Sequence, residues 1–156
     1  DADGIIAFEG HTEVLSGRRH SDPLVLTPHP GEFKRLTGEN APKGIQDRIA
    51  LVQKWAKRFN CVLVLKGSPT LIGAPDGSAY LNPTGNNGMA CGGTGDVLTG
   101  AIGSFLAQGM SAIDAAVCGV FVHGTAGDLA ATELTPRAMI AGDLNKFLPD
   151  VFGVLE

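Results

Sequence analysis

Residues 61–67 read CVLVLKG, five apolar side chains in a row with no polar alternation. Successive side chains of a strand point to opposite faces. A strand built from this run therefore has no face to offer water and must be covered on both sides, as in a parallel sheet. LVLT, residues 24–27, is a shorter run of the same kind and ends in Pro-His-Pro. Between the two, Ile45, Ile49, Val52, Trp55, Ala56 and Phe59 recur at steps of three or four. That spacing predicts one apolar face of an amphipathic helix, with Arg48, Lys54 and Lys57 mostly off it. Strand–helix–strand order with buried strands implies α/β layering and right-handed crossovers. Such sheets collect ligands beyond the carboxyl ends of their strands. His29, Lys66 and a glycine-rich stretch at 82–100 each follow a strand, so the layout is expected to bring them to one edge.

The remaining segments are less constraining. Residues 1–8 read as a turn and a short apolar segment, and DADG resembles the end of a strand, so an upstream part is expected. GEFKRLTG predicts a short helix stopped at Gly38. TLIG and SAYL flank Ala-Pro-Asp-Gly, which is hairpin chemistry. A helix is expected over Asp96–Leu106 and closed by Gly109, with Ser111 capping the next one and Asp114 at the capping-box position. That next helix runs to about Ala131 and is rich in Ala and Gly, which permits close contact. The tail from Arg137 reads as one or two helices interrupted at Gly142 and Pro149.

Composition narrows the function classes. With 44% hydrophobic and 18% charged residues the chain is globular and not disordered. The net charge of −4 comes with no basic tract, which argues against a nucleic-acid partner. Anionic ligands must be held locally, by helix ends and single Lys or His side chains. Cys61, Cys91 and Cys118 form no CxxC pair, which favours a reducing, cytoplasmic setting over a disulfide framework. No apolar run approaches the ~20 residues of a membrane span. No His, Cys and carboxylate spacing suggests a protein-held metal.

The chemistry concentrates in NPTGNNGMACGGTGDVLTG, residues 82–100. Gly92, Gly93 and Gly95 surround Thr94 directly before an apolar helix. Glycines let backbone approach a ligand, and a first helical turn offers unpaired N–H groups and partial positive charge. Together they make an anion site. Asp96 places a single carboxylate at that positive end. A phosphate alone needs no carboxylate beside it, whereas a reaction at a hydroxyl does need a base. In TPHPGE, Pro28 and Pro30 stiffen the backbone around His29. That residue either orients a ligand or caps a nearby carbonyl. In KGSPT, Lys66 either reaches a phosphate or is a solvated strand end, with Gly67 and Ser68 offering further donors. Cys91 reads as a packing residue rather than a nucleophile. His11 and His20 lie in polar loop sequence, His123 reads as a satisfied interior histidine, and Asp114, Asp128 and Asp143 read as helix-end or surface charges.

LTPHPGEFKRLTG, VLVLKGSPTLI and NPTGNNGMACGGTGDVLTGAI together resemble the ADP-dependent NAD(P)H-hydrate dehydratases. The resemblance implies a ribokinase-like three-layer α/β/α fold with a mostly parallel sheet. Residues 1–156 would be the C-terminal part of a single dehydratase domain, incomplete at its N-terminus. Its exposed sheet edge is an association hazard, and a homo-oligomer is expected. The implied activity is repair of hydrated NADH or NADPH (NAD(P)HX), with ADP or ATP as co-substrate and Mg²⁺ bridging phosphate oxygens. Asp96 would be the catalytic base and contact the substrate, and His29 would also touch it. Lys66, Gly67, Ser68, Pro69 and Thr70 would line the AMP part of the nucleotide, with Gly95 beside it. The backbone of Gly92, Gly93, Thr94 and Gly95 would form the anion hole. Asn87 and Cys91 depart from the family pattern, which has Pro and Thr there. The alternatives are a vitamin-precursor kinase of the same superfamily and a non-catalytic nucleotide-binding fragment.

Overall fold

The computed structural model describes residues 1–18 and 23–155, so the expectation for His20 lies outside the described residues. The chain groups into two compact units. One comprises Asp1–Asn82 with Ser111–Ala116, and the other Pro83–Met110 with Val117–Glu156.

In the first unit the continuous apolar runs become strands, as their lack of a polar face requires. β1 (Val25–Leu26) and β2 (Val62–Leu65) pair in parallel, with Val25 opposite Val62. All four residues of β2 are buried. The crossover carries α3 (Pro30–Thr37) and α4 (Ile45–Phe59). Gly38 ends α3 in the left-handed conformation, as expected. β3 (Leu71–Gly73) and β4 (Ala79–Leu81) form the expected hairpin. The sheet runs β1-β2-β3-β4, and its β2–β3 and β3–β4 pairings are antiparallel. The parallel character expected of the sheet is thus carried by β1 and β2. The five-residue link 66–70 is too short for a parallel crossover, which takes a dozen or more residues.

The core of this unit lies between α4 and the sheet. Val52, Trp55, Ala56 and Phe59 of α4 join Leu63, Leu65 and Leu71 in one buried cluster. Phe33 from α3 meets Trp55 edge-on at 6.2 Å, and Phe59 lies tilted on Trp55 at 4.9 Å. Each such large side chain contributes about 1.5–3 kcal/mol by leaving water. Two expectations are corrected here. Residues 2–6 are not the end of a strand but a short helix, α1 (Ala2–Ile6), which buries Ile5. Arg48 is not on a solvated face. It is buried, because its long side chain carries the guanidinium across to backbone carbonyls at Ser68 and Pro69. The second short helix, α2 (Glu13–Gly17), buries Leu15.

The second unit is helical. α5 (Thr94–Ala107) and α7 (Ala141–Leu155) pack together, and α6 (Ala112–Leu134) contributes its residues from Val117 onward. The start of α6 is capped as expected: Ser111 Oγ accepts the Asp114 amide at 3.2 Å and donates to its carboxylate at 2.6 Å. The tail departs from expectation only in its interruptions. It is one helix, and neither Gly142 nor Pro149 interrupts it. Leu144, Phe147, Leu148 and Val151 recur at helical spacing and pack into the unit's apolar clusters. That stripe carries the helix past Pro149, although the ring removes the N–H that Asn145's carbonyl would accept. Among the described residues no helix is long and apolar enough to cross a membrane.

Candidate active site

Two groups of residues carry the chemistry, one in each unit. In the first, His29 is the N-cap of α3. Its Nδ1 accepts the amides of Gly31 at 3.0 Å and Glu32 at 3.2 Å. The Glu32 carboxylate returns the bond by accepting the His29 amide at 2.8 Å. Pro30 at the first helical position loses nothing, since its N–H would have had no partner there. The fixed histidine of TPHPGE is therefore a cap, but for N–H groups and not for a carbonyl. Because Nδ1 is an acceptor, the neutral ring carries its proton on Nε2. The imidazole is about half exposed, and Nε2 sits 3.6 Å from Glu32 Oε1.

Lys66 leaves β2 next to this cap. Its amide donates to the Pro28 carbonyl at 2.9 Å. Its ammonium bonds the Asp1 carboxylate at 2.6 Å and lies 3.7 Å from Glu32 Oε2. The structure thus brings His29 and Lys66 together around one buried carboxylate, Glu32. Lys66 is not a solvated strand end. It is a cation held at the strand mouth by two acids. The loop that follows is braced from outside. Arg48 Nη2 donates to the Pro69 carbonyl at 2.9 Å, and Thr70 Oγ1 donates to the Gly67 carbonyl at 3.1 Å. Gly67 and Ser68 are exposed at its tip.

The second group is the glycine loop and the first turn of α5. Gly93, with φ of 91°, is the N-cap of α5 and supplies no side chain to cap it. The Thr94 hydroxyl turns inward to the carbonyls of Met89 at 2.8 Å and Cys91 at 2.9 Å. What remains outward is backbone. Among the described residues, the amides of Gly92, Gly93 and Gly95 find no acceptor. Asp96 is exposed and opens onto a groove of about 710 Å³ between α5 and α7. The groove follows Asp96, Gly100, Ser104 and Gln108, four residues apart and so on one helix face. Leu148 and Phe152 of α7 form its apolar side. A carboxylate at an uncapped helix mouth, beside bare amides, can take a proton from a hydroxyl while the amides receive an anion. Among the described residues no cluster of three His, Cys, Asp or Glu side chains could hold a metal.

Cys91 behaves as a packing residue, half-buried with its sulfur 4.0 Å from the Met139 carbonyl. His11 is exposed beside Glu13. Asp114 and Asp143 are helix-end charges, as expected. Asp128 is not. It accepts the Gly85 amide at 2.8 Å and the Asn86 side-chain amide at 2.9 Å, and so fastens the start of the glycine-rich segment. Sequence reasoning also passed over Glu32, although His-Pro-x-Glu before a helix is a capping-box pattern. It passed over Arg48 too, for which no local signal exists.

A family profile described as Carb_kinase, NAD(P)H-hydrate dehydratase, matches residues 1–150. The bifunctional NAD(P)H-hydrate repair enzyme Nnr of Moorella thermoacetica is 51% identical over 156 residues, which are all of this chain and 29% of that protein. The crystal structure of the ADP/ATP-dependent NAD(P)H-hydrate dehydratase from Bacillus subtilis, co-crystallised with ATP and Mg²⁺, superposes with a TM-score of 0.81 at 39% identity. That match covers 91% of this chain and 52% of the Bacillus chain. A ribokinase-like superfamily protein from Enterococcus faecalis superposes with a TM-score of 0.73 at 28% identity, covering 97% of this chain and 50% of that one. The chain thus spans about half or less of the length of the proteins it matches, and its α/β architecture is the ribokinase-like one. With the profile running through both the His29–Lys66 group and the Asp96 loop, this chain belongs to the NAD(P)H-hydrate dehydratase family.

Proposed function

We propose that this chain supplies the nucleotide-binding and base-bearing part of a dehydratase that returns hydrated NADH or NADPH to NADH or NADPH at the expense of ADP. The observation that carries the reading is Asp96, an exposed carboxylate in the first turn of an uncapped helix, next to amides that lack acceptors. Asp96 takes the proton of the hydroxyl that hydration added to the nicotinamide ring. The freed oxygen attacks the terminal phosphorus of ADP, and AMP leaves. The C–O bond then breaks to release phosphate, the neighbouring ring position loses a proton, and the double bond returns. The anion hole of Gly92, Gly93, Thr94 and Gly95 receives the charge on the transferred group through its backbone. Lys66 and the Gly67–Thr70 loop take the AMP moiety, and His29 presents its Nε2–H to the substrate.

The Bacillus subtilis relative is named as ADP/ATP-dependent and was crystallised with ATP and Mg²⁺. The residues here fit such a pair. Mg²⁺ is ordinarily held largely by substrate phosphates rather than by a protein cage, which leaves Asp96 free as the base. Bound at the phosphates, the ion would neutralise their charge. The same reading makes these residues part of a single ribokinase-like domain. It also implies a cytoplasmic, homo-oligomeric enzyme.

The test is Asp96→Asn in the protein, assayed by recovery of NADH absorbance from hydrated NADH plus ADP, with ADP binding measured by calorimetry. Turnover is expected to fall by at least ~10²-fold, the scale of a lost general base, while ADP still binds. Full activity in the variant would remove Asp96 as the base. Phosphorylation of a thiazole or pyrimidine alcohol without NADH recovery would instead select the kinase alternative.

A further inference from the structure

Gly95 has a role in the proposed function only if its N–H points at the ligand, and it sits in the first turn of α5, where no side chain caps the helix. A feature that holds its peptide from outside α5 lies on α6. His123 is buried, and its Nε2 lies 2.9 Å from the Thr94 carbonyl oxygen. A carbonyl only accepts, so Nε2 carries the proton and donates. The Thr94 carbonyl and the Gly95 amide are two ends of one planar peptide unit. Fixing the oxygen therefore fixes the direction of the Gly95 N–H, on the opposite side of the same plane. The bond also draws electron density towards the oxygen and strengthens the N–H as a donor.

The rest of that stretch of α6 serves the same loop. Gly124 lies against Thr84, where a Cβ would come within 2.1 Å of the hydroxyl oxygen and 2.9 Å of the carbonyl carbon. A Cβ on Gly127 would come within 2.3 Å of the Met89 sulfur. Asp128, one residue further, holds Gly85 and Asn86. A side chain at Gly124 would meet the loop at Thr84, and one at Gly127 would meet the Met89 side chain. His123 and Asp128 fasten the loop's two ends.

We propose that His123 is a positioning residue, which orients and polarises the Gly95 amide through the Thr94–Gly95 peptide while Gly124, Gly127 and Asp128 seat the loop. This deepens, and rests on, the reading of the glycine loop as the anion site. The experiment compares wild type, His123→Leu and His123→Gln for kcat, for KM of ADP, for ADP affinity by calorimetry and for thermal midpoint. Leu keeps the bulk and removes the donor. Gln restores an N–H close to where Nε2 lies. The expected result is a loss in kcat on the order of tenfold or more for His123→Leu at temperatures where it is folded, because small misplacements of a catalytic group are costly. His123→Gln is expected to recover most of it. A merely structural histidine would lower the thermal midpoint while kcat per folded molecule stayed unchanged, and that result overturns the proposal. Failure of His123→Gln to recover activity in a folded protein also overturns it. If His123→Leu does not fold, His123→Gln is compared with Gly124→Ala. Wild-type kcat in the glycine variant then counts against the loop seat. Wild type that binds ADP without dehydrating its substrate refutes the functional reading alone, and ADP affinity then tests the inference. A tenfold loss in a folded His123→Leu, recovered by Gln, supports it, and equal affinity sinks it. Wild type that binds no ADP refutes both.

Discussion

Glu32 shows how one side chain can be structural and functional at once. It closes the His29 cap and lies next to the Lys66 ammonium, so it fixes both residues assigned to ligand contact. Glu32→Ala removes the acceptor of the His29 amide and leaves Lys66 beside Asp1 alone of the two acids. The loss of a charged acceptor from such a site costs about 1–3 kcal/mol, and urea titration is expected to show an unfolding free energy lower by that amount. Glu32→Gln keeps an acceptor for the His29 amide and is expected to fall between the two. Residues of this kind divide by how local their partners are. The Ser111–Asp114 cap was legible because both members lie within one turn of sequence. His29–Glu32 has the same spacing and could have been read. Arg48, Asp128 and His123 could not, since their partners lie 21, 43 and 29 positions away and only the fold brings them near.

At the level of elements, legibility followed burial. α4 matched the reading through its helical spacing, β2 through a short unbroken apolar run, and the hairpin through its Ala-Pro-Asp-Gly turn. The reading failed where a local breaker signal opposed a longer apolar stripe. Pro149 and Gly142 argue for a broken tail, yet the stripe of Leu144, Phe147, Leu148 and Val151 keeps α7 whole. The start of α7 also carries a pH dependence. Bonds from the Lys146 ammonium and then the Ile140 amide hold the Asp143 carboxyl below the usual carboxylate range. A depressed folded-state pKa gives stability that is complete above the unfolded value, about 3.9. It disappears as pH falls through the folded value. Urea midpoints measured downward from neutral pH are therefore expected to fall below about pH 4. The fall should be shallower in Asp143→Asn, which has no charge to lose.

For the whole molecule, the three thiols are unpaired. Cys61 is buried in the first unit's core, and burial pushes its thiol up to about 12. Native protein treated with a thiol reagent is expected to react at Cys91 and Cys118 before Cys61, as read by mass spectrometry of peptides. Cys61 should become reactive only with unfolding. A raised folded-state pKa works in the opposite sense to Asp143. Its stability is present below the unfolded thiol value, about 8.5, and drains away as pH rises from there towards the folded one. Alkaline solution therefore loosens this protein partly through a residue no solvent touches in the native state. The outer sheet strand has a different consequence. Among the described residues β4 pairs only with β3, and Tyr80 and Leu81 are exposed along it. Its far side is an open rail of peptide groups, onto which any extended stretch of chain can zip. In a crowded solution, what first limits these residues will be the company that rail recruits.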